Sequence, residues 1–253
     1  MKLIHEVRAV KSKKELENII QAQRISERVL KDVLKRLHEG VTELEIANFI
    51  KKSFVKYGAP ILSFPPIVSY GENTANIHHI PCKTKLKKGD TIMFDFGCTV
   101  NHYCSDMTRT YFFGKPNKKQ EKIYLAVLEA QNRVLTKIAK GERRAKVIDK
   151  SSRDFLTKKF GAKKFPHGLG HGVGTVIHEW PNFKPKSEDI IPIGCVMTVE
   201  PGLYFKGSRR RQGFGGQVGG VRIEDMILIT KNGYKNLTNV AKDINSVTIK
   251  IYP

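Results

Sequence analysis

Three acidic residues of this chain sit inside apolar runs with strand character, and a fold must find partners for them. Asp95 lies in Thr-Ile-Met-Phe-Asp-Phe-Gly, Glu200 follows Cys195-Val-Met-Thr-Val, and Glu224 stands between Val221-Arg-Ile and Met226-Ile-Leu-Ile. A carboxylate in an apolar strand is costly unless something pairs with it. Any one of them alone reads most simply as a solvated, outward-facing strand position. Together they do not fit a solvated surface, because two further candidates lie in equally compact motifs. These are Asp106 in Cys104-Ser-Asp-Met-Thr-Arg and His171 in His167-Gly-Leu-Gly-His-Gly.

The chemistry of the set Asp95, Asp106, His171, Glu200 and Glu224 is specific. A structural zinc site prefers four ligands rich in Cys and His, and this set is neither. Four carboxylates crowded together without metal repel, and some must take up protons. Two divalent cations cancel that charge and leave room for the nucleophile of two-metal hydrolysis. The oxygen-rich donors favour Mn, Fe or Co over a zinc-selective site, with Zn still compatible.

These motifs resemble the pita-bread metallopeptidases, a family that includes methionine aminopeptidases, Xaa-Pro aminopeptidases and prolidases. The resemblance runs from about residue 12 to the end. It implies that Asp106 and Glu224 bridge two ions, that Asp95 chelates one, and that His171 with Glu200 holds the other. Cys104-Ser-Asp-Met-Thr-Arg-Thr, Pro166-His-Gly-Leu-Gly-His-Gly-Val-Gly and Gly220-Val-Arg-Ile-Glu-Asp are similar to signatures of the Xaa-Pro branch. The resemblance also implies roles for residues that read as ordinary on their own. His78, in Ala75-Asn-Ile-His-His-Ile-Pro, matches a substrate-binding His, and either His78 or His79 is able to face the pocket. His178, in Val176-Ile-His-Glu-Trp-Pro, matches the His that contacts the scissile peptide and steadies oxyanion charge. His167 and Arg222 match groups beside the substrate and the last Glu. The implied catalytic set is therefore His78, His178 and Glu200, with Glu200 carrying a proton from the attacking water to the leaving amine. The implied substrates are peptides with a free N-terminus. Methionine aminopeptidase is the alternative activity, and a noncatalytic pita-bread module that binds protein or RNA is the alternative from another class.

The rest of the chain bounds this reading. At 253 residues, 27% charged and 40% hydrophobic, the composition is that of an ordinary globular protein. The N-terminus has no secretory pattern, and no apolar run approaches the roughly 20 residues of a membrane span. Cys82, Cys98, Cys104 and Cys195 form no C-x-x-C pair and read as reduced thiols of a cytoplasmic protein. The net charge of +21 could draw nucleic acid or ribosomes nonspecifically. It carries no zinc finger and no aromatic-rich basic motif, so it tunes encounter and does not define the function. The glycines around His171 lack the Walker ending and the strand–helix setting of a phosphate site.

Two capping boxes, Ser12-Lys-Lys-Glu15 and Thr42-Glu-Leu-Glu45, announce helices. The first keeps a helical period of apolar residues up to Gly40, and the second runs to Gly58. A matching pair follows, with Ile123 to Ile138 before Gly141 and Val147 to Phe160 before Gly161. The two halves share words: Ala22-Gln, Gly40 and Gly58-Ala59 against Ala130-Gln, Gly141 and Gly161-Ala162. A helix pair followed by strands, repeated, predicts α+β, as two pseudo-symmetric halves around one curved, mostly antiparallel sheet. Residues 1–253 read as a single catalytic domain with no separate N-terminal domain. Asp95 and Asp106 are expected nearly opposite one another on a hairpin turning near Thr99 to Asn101. The stretch from Lys206 to Gly219 reads as a flexible basic loop at the pocket rim.

Overall fold

The structure is a computed structural model and describes residues 2–206 and 219–251, of which residues 2–4 are described by backbone alone. The loop expected between Lys206 and Gly219 therefore falls, in residues 207–218, outside the described residues.

A short helix, α1 (Lys2–Ala9), precedes the first helix pair, α2 (Lys13–Leu34) and α3 (Glu43–Lys56). Both capping boxes form. Ser12 and Thr42 each accept the amide three residues on, and Glu15 and Glu45 reach back to the cap amides. The second helix ends at Leu34 and does not reach Gly40, yet Leu37 still packs on the core from the following turn. The apolar spacing outlasts the helix because a turn residue happens to fall on the same face.

Five strands follow: β1 (Ile67–Tyr70), β2 (Thr91–Asp95), β3 (Thr99–Val100), β4 (Tyr103–Cys104) and β5 (Thr108–Phe113). The second half opens with α4 (Lys118–Ala139) and α5 (Ala145–Phe160). It continues with β6 (Gly170–Gly172), β7 (Glu179–Phe183), β8 (Val196–Val199), β9 (Gly202–Tyr204), β10 (Gly220–Arg222), β11 (Asp225–Thr230) and β12 (Gly233–Asn236). The last strand, β13 (Thr248–Ile249), returns to the first half and lies parallel to β5.

The first half is a sheet ordered β1-β2-β5-β13 and the second a sheet ordered β12-β11-β8-β6-β7; apart from β13, neighbouring strands run antiparallel. The ribbon of β9 and β10 lies between them. Thr110 bonds both the carbonyl and the amide of Arg222, at 2.9 and 3.1 Å, and the Glu224 amide donates to the Thr108 carbonyl at 3.2 Å. These bonds stitch the halves together beside the candidate site.

The repeated words of the sequence have matching structural roles. Gly40, Gly58, Gly141 and Gly161 all have φ between +76° and +90°, where a side chain would strain the backbone. Ala22, Gln23, Ala130 and Gln131 are all fully buried. The Gln131 amide donates to the carbonyls of Val199 and Ile223, and the Gln23 amide to Thr238. Helices attach to sheets through aromatic contacts: Phe54 of α3 meets Phe96 edge-on at 5.8 Å, and Tyr124 of α4 meets Phe112 at 5.6 Å. Among the described residues no helix is long and apolar enough to cross a membrane.

The hairpin carrying the two aspartates differs from the expected register. Its turn is Asn101–His102, both with positive φ (46° and 72°), as a two-residue turn between twisted strands requires. Asp95 lies opposite Thr108, and Asp106 falls two residues earlier, beyond the end of the ladder. The chains stay bonded there, with the Phe96 amide donating to the Met107 carbonyl at 3.3 Å and the Ser105 amide to the Cys98 carbonyl at 2.9 Å. Gly97 permits that close approach: a Cβ there would lie 1.8 Å from the Ser105 carbonyl oxygen.

Candidate active site

The two halves enclose a cleft of about 790 Å³. Asp95, Asp106, His171, Glu200, Glu224, His78, His79, His167, His178 and Arg222 all line it. Sequence positions more than 140 residues apart thus share one wall. Sheet ends and irregular joints present them: Asp95 closes β2, Glu200 follows β8, and Glu224 occupies the joint between β10 and β11. His171 sits on β6, held against β8 by its amide, which donates to Thr198 Oγ1 at 3.0 Å. That approach needs the preceding glycine, since a Cβ at Gly170 would lie 2.1 Å from the Thr198 carbonyl oxygen.

The acidic residues crowd each other. Burial and the surrounding carboxylates hold Asp106 and Glu224 well above the usual carboxylate range, and burial pushes Glu200 up to about 7. Glu224 Oε2 accepts a hydrogen bond from Thr108 at 2.7 Å, and Glu200 Oε1 accepts one from Thr198 at 3.3 Å. Asp95 Oδ2 accepts from Arg222, while its buried Oδ1 has no hydrogen-bond partner among the described residues. An orphaned, buried carboxylate oxygen calls for a ligand.

His171 gives the clearest test of whether a cation fits. Its Nδ1 lies 3.0 Å from the Gly172 carbonyl oxygen, which can only accept, so Nδ1 carries the proton. Burial holds the ring pKa down to about 3, so the imidazole is neutral and Nε2 presents a lone pair. That lone pair faces Glu200 Oε1 at 3.4 Å and Asp106 Oδ2 at 3.6 Å. Lone pair against ionised carboxylate oxygens is repulsive unless a cation lies among them, and without one the raised carboxyls must hold a proton there instead. The ligand atoms of Asp106, His171 and Glu224 lie within 4.8 Å of one another, a span that metal coordination can close. The donor set fits a divalent cation.

Around this centre runs a fixed polar relay. Arg222 donates to Asp95 with one guanidinium nitrogen, to Thr108 Oγ1 at 3.0 Å with Nε, and to Tyr204 at 2.8 Å with Nη1. Thr108 in turn donates to Glu224, so one threonine hydroxyl links the arginine to the last glutamate. His167 bonds the Gly168 carbonyl through Nδ1, which leaves Nε2 to accept from the Tyr204 hydroxyl at 2.9 Å. Burial and the Arg222 charge hold His167 neutral, with a pKa near 3. His178 is solvent-exposed, yet the desolvation of its ring in the cleft lowers its pKa as well; its ring stands edge-on to His171 at 4.2 Å. Of the adjacent histidines, His79 is turned to Glu43, with Nε2 at 2.7 Å from Oε2, although both line the cleft.

Several lining residues carry no motif. Phe64, Pro65, Pro66, Ile77, Ile80 and Pro81 form an apolar wall, and Asn182 and Lys184 stand at its polar side. Only the Pro65–Pro66 pair could have signalled a shaped loop. Tyr204, which joins Arg222 to His167, was equally silent, because a lone Tyr after Glu-Pro-Gly-Leu reads as core.

Comparison with known proteins agrees with this geometry. Metallopeptidase family M24 matches residues 17–231, and the chain belongs to that family. An uncharacterized peptidase of Staphylococcus aureus (strain bovine RF122 / ET3-1) is 38% identical over 239 residues, covering 94% of this chain and 65% of that protein. The chain thus spans just under two thirds of the length of such relatives. Among solved structures, the X-Pro aminopeptidase from Thermotoga maritima MSB8 is 34% identical with a TM-score of 0.87, covering 96% of this chain and 66% of that one. The prolidase from Pyrococcus furiosus is 36% identical with a TM-score of 0.85, covering 95% and 68%. The architecture is the pita-bread fold, and the kinship lies in its Xaa-Pro branch.

Proposed function

We propose that this chain is a dinuclear-metal aminopeptidase that removes the first residue of peptides, with preference for proline in the second position. The observation that carries the metal chemistry is the protonated Nδ1 of His171, which leaves its Nε2 lone pair facing Asp106 and Glu200. Asp95, Asp106, His171, Glu200 and Glu224 would hold the ions. Their mostly oxygen donors favour Mn, Fe or Co. When bound, the ions would neutralise the carboxylates and supply Lewis acidity that makes water a nucleophile near neutral pH.

The chain's own residues do the rest. The free amine and first side chain of the peptide enter the cleft past His78 and His167. His178, which lines the cleft and whose pKa is lowered so that it is neutral, donates to the carbonyl oxygen as negative charge develops there. Glu200 takes a proton from the attacking water and delivers it to the nitrogen of the leaving residue as the C–N bond breaks. Arg222 holds Asp95 in place through their ion pair.

The apolar wall of Phe64, Pro65, Pro66, Ile77, Ile80 and Pro81 supports the proline preference. A second-position proline has no N–H to satisfy and a fixed φ, so a pocket shaped for its ring gains from both. The similarity to an X-Pro aminopeptidase and a prolidase supports the same reading. Four free cysteines support a reducing, cytoplasmic setting. The test is kcat/KM for Met-Pro-x against Met-Ala-x on one metal. We expect Met-Pro-x to be preferred by at least tenfold, about 1.4 kcal/mol of transition-state binding. A tenfold advantage for Met-Ala-x would transfer the chain to the methionine aminopeptidase activity.

A further inference from the structure

Beside the cleft, four residues of the segment 70–82 meet around one carboxylate. Glu43 is the first residue of α3, and its side chain is fully buried. Its Oε1 accepts from the Tyr70 amide at 2.8 Å and from Asn73 at 2.9 Å. Its Oε2 accepts from His79 Nε2 at 2.7 Å, and from the amide and the thiol of Cys82, each at 3.2 Å. The Cys82 sulfur also lies 3.1 Å from the Thr84 hydroxyl. One ligand atom from each of Glu43, His79 and Cys82 lies within 4.8 Å of the others. Burial alone would raise the Glu43 pKa, but the hydrogen bonds from His79, Asn73, Tyr70 and Cys82 outweigh it and hold the carboxylate ionised.

We propose that Glu43, His79 and Cys82 form a second metal site, distinct from the carboxylate cluster of the cleft, for a thiophilic divalent cation of the zinc class. Two of the contacts to Oε2 run through exchangeable protons, the imidazole N–H and the thiol S–H. Binding exchanges these for metal bonds. The thiol releases its proton to solvent and binds as thiolate, while the imidazole binds through the Nε2 lone pair with its proton on Nδ1. Bonds of about 2.0–2.3 Å from one ion put tetrahedral ligand atoms roughly 3.3–3.8 Å apart. The donors need only small adjustments to reach that spacing. Cys82 is exposed, so the ion has an entry path and a fourth position for water or the Thr84 hydroxyl. A thiolate and an imidazole select zinc-like ions over the harder cations suited to the cleft. Occupancy would brace the wall segment that carries Ile77, His78, Ile80 and Pro81 into the cleft.

Cobalt(II) titration of the full chain tests this independently of catalysis. No cleft ligand of the proposed set carries sulfur, so a near-ultraviolet thiolate-to-cobalt charge-transfer band can report only a cysteine site. We expect the band to saturate with cobalt, to vanish in Cys82→Ser, and to persist in Asp106→Asn. His79→Ala should weaken cobalt binding at this site at least tenfold. Zinc(II) should slow alkylation of Cys82 by iodoacetamide at least tenfold. Cys82 is exposed, and a serine hydroxyl there can still donate to Glu43, so the variant should keep its fold, which circular dichroism will verify. Absence of the band, its survival in Cys82→Ser, or alkylation indifferent to zinc would each overturn the proposal. None of these outcomes bears on the aminopeptidase reading.

Discussion

Glu224 and Asp225 are adjacent carboxylates, 2% and 0% exposed, in opposite environments. Asp225 accepts from Arg109 at 2.7 Å, from Asn236 at 3.1 Å and from Lys242. Burial alone would raise its pKa, but the Arg109 and Lys242 charges outweigh that and lower it. Glu224, one residue earlier, receives the Thr108 hydroxyl and faces Glu200 and Asp95, so burial and like charge drive its pKa well up. Arg109 even donates to the Glu224 main-chain carbonyl while its charge serves the Asp225 side chain. Burial therefore does not distinguish a functional carboxylate from a structural one. What distinguishes them is whether the fold supplies counter-charge. Asp225 has been given its cations by the protein, whereas Glu224 has been left to find one in solution.

The sharpest way to break this contrast is to neutralise each residue in turn. Glu224→Gln removes a proposed metal ligand and one of the crowded charges. We expect activity to fall on the order of 10³-fold or more with loss of bound metal. The metal-free protein should be no less stable than the parent. A variant that kept its metal and its activity would take Glu224 out of the centre. Asp225→Asn should do the reverse. It strands Arg109 and Lys242 without their partner, and breaking a buried pair costs about 3–5 kcal/mol. Urea denaturation should show that loss, while metal affinity of the folded fraction changes little. A cost below about 1 kcal/mol would mean that Asp225 is not the anchored member of the pair.

The smallest expected effect concerns pH. In metal-free protein Glu200 titrates near 7, and Asp106 and Glu224 also lie above their ordinary values. At these three carboxyls the native state holds more protons than the unfolded state between the unfolded carboxylate range and the raised values, while His167 and His171, held near 3, oppose the effect only below their ordinary value of 6.5. Stability is therefore present at low pH and is lost as pH rises through the folded values. Melting of the metal-free protein should drop by several degrees from pH 5 to 8, at roughly 2–4 °C per kcal/mol for a chain of this size. Saturating manganese should remove much of that slope. A metal-free melting temperature that rises over the same interval would show that the cluster is not charge-starved.

Much of the local structure was legible beforehand because its causes are local. Ser12 with Glu15 and Thr42 with Glu45 satisfy helix-end amides within four residues, so both helix starts could be read directly. Asn117 and Gln120 do the same for α4, although an asparagine cap with glutamine was not singled out. Three of the five candidate ligands, Asp95, Glu200 and Glu224, were legible because acidic residues in apolar strands are expensive, and Asp106 and His171 because their compact motifs resemble a metallopeptidase family's. Their register was not. Asp95 faces Thr108 instead of Asp106 because the turn falls at Asn101–His102 and sets one register along the hairpin, with Gly97 letting the chains stay close beside Ser105. The apolar wall was missed because Phe64, Pro66 and Ile80 follow no period. Cys82 read as a plain reduced thiol, since nothing near it in the chain predicts Glu43, 39 residues away.

By itself, then, the sequence determined which segments become helix or strand, that two similar halves exist, and which acidic residues are too costly to be ornamental. Those properties depend on neighbours within a few residues, where hydrogen-bond reach and side-chain period act. Only the tertiary structure decided which buried carboxylate receives Arg109 and Lys242, which way the His171 lone pair points, and that His79 turns to Glu43. Each depends on placing groups from distant segments within a few ångströms, and electrostatic energy at that range changes sign with the partner that arrives.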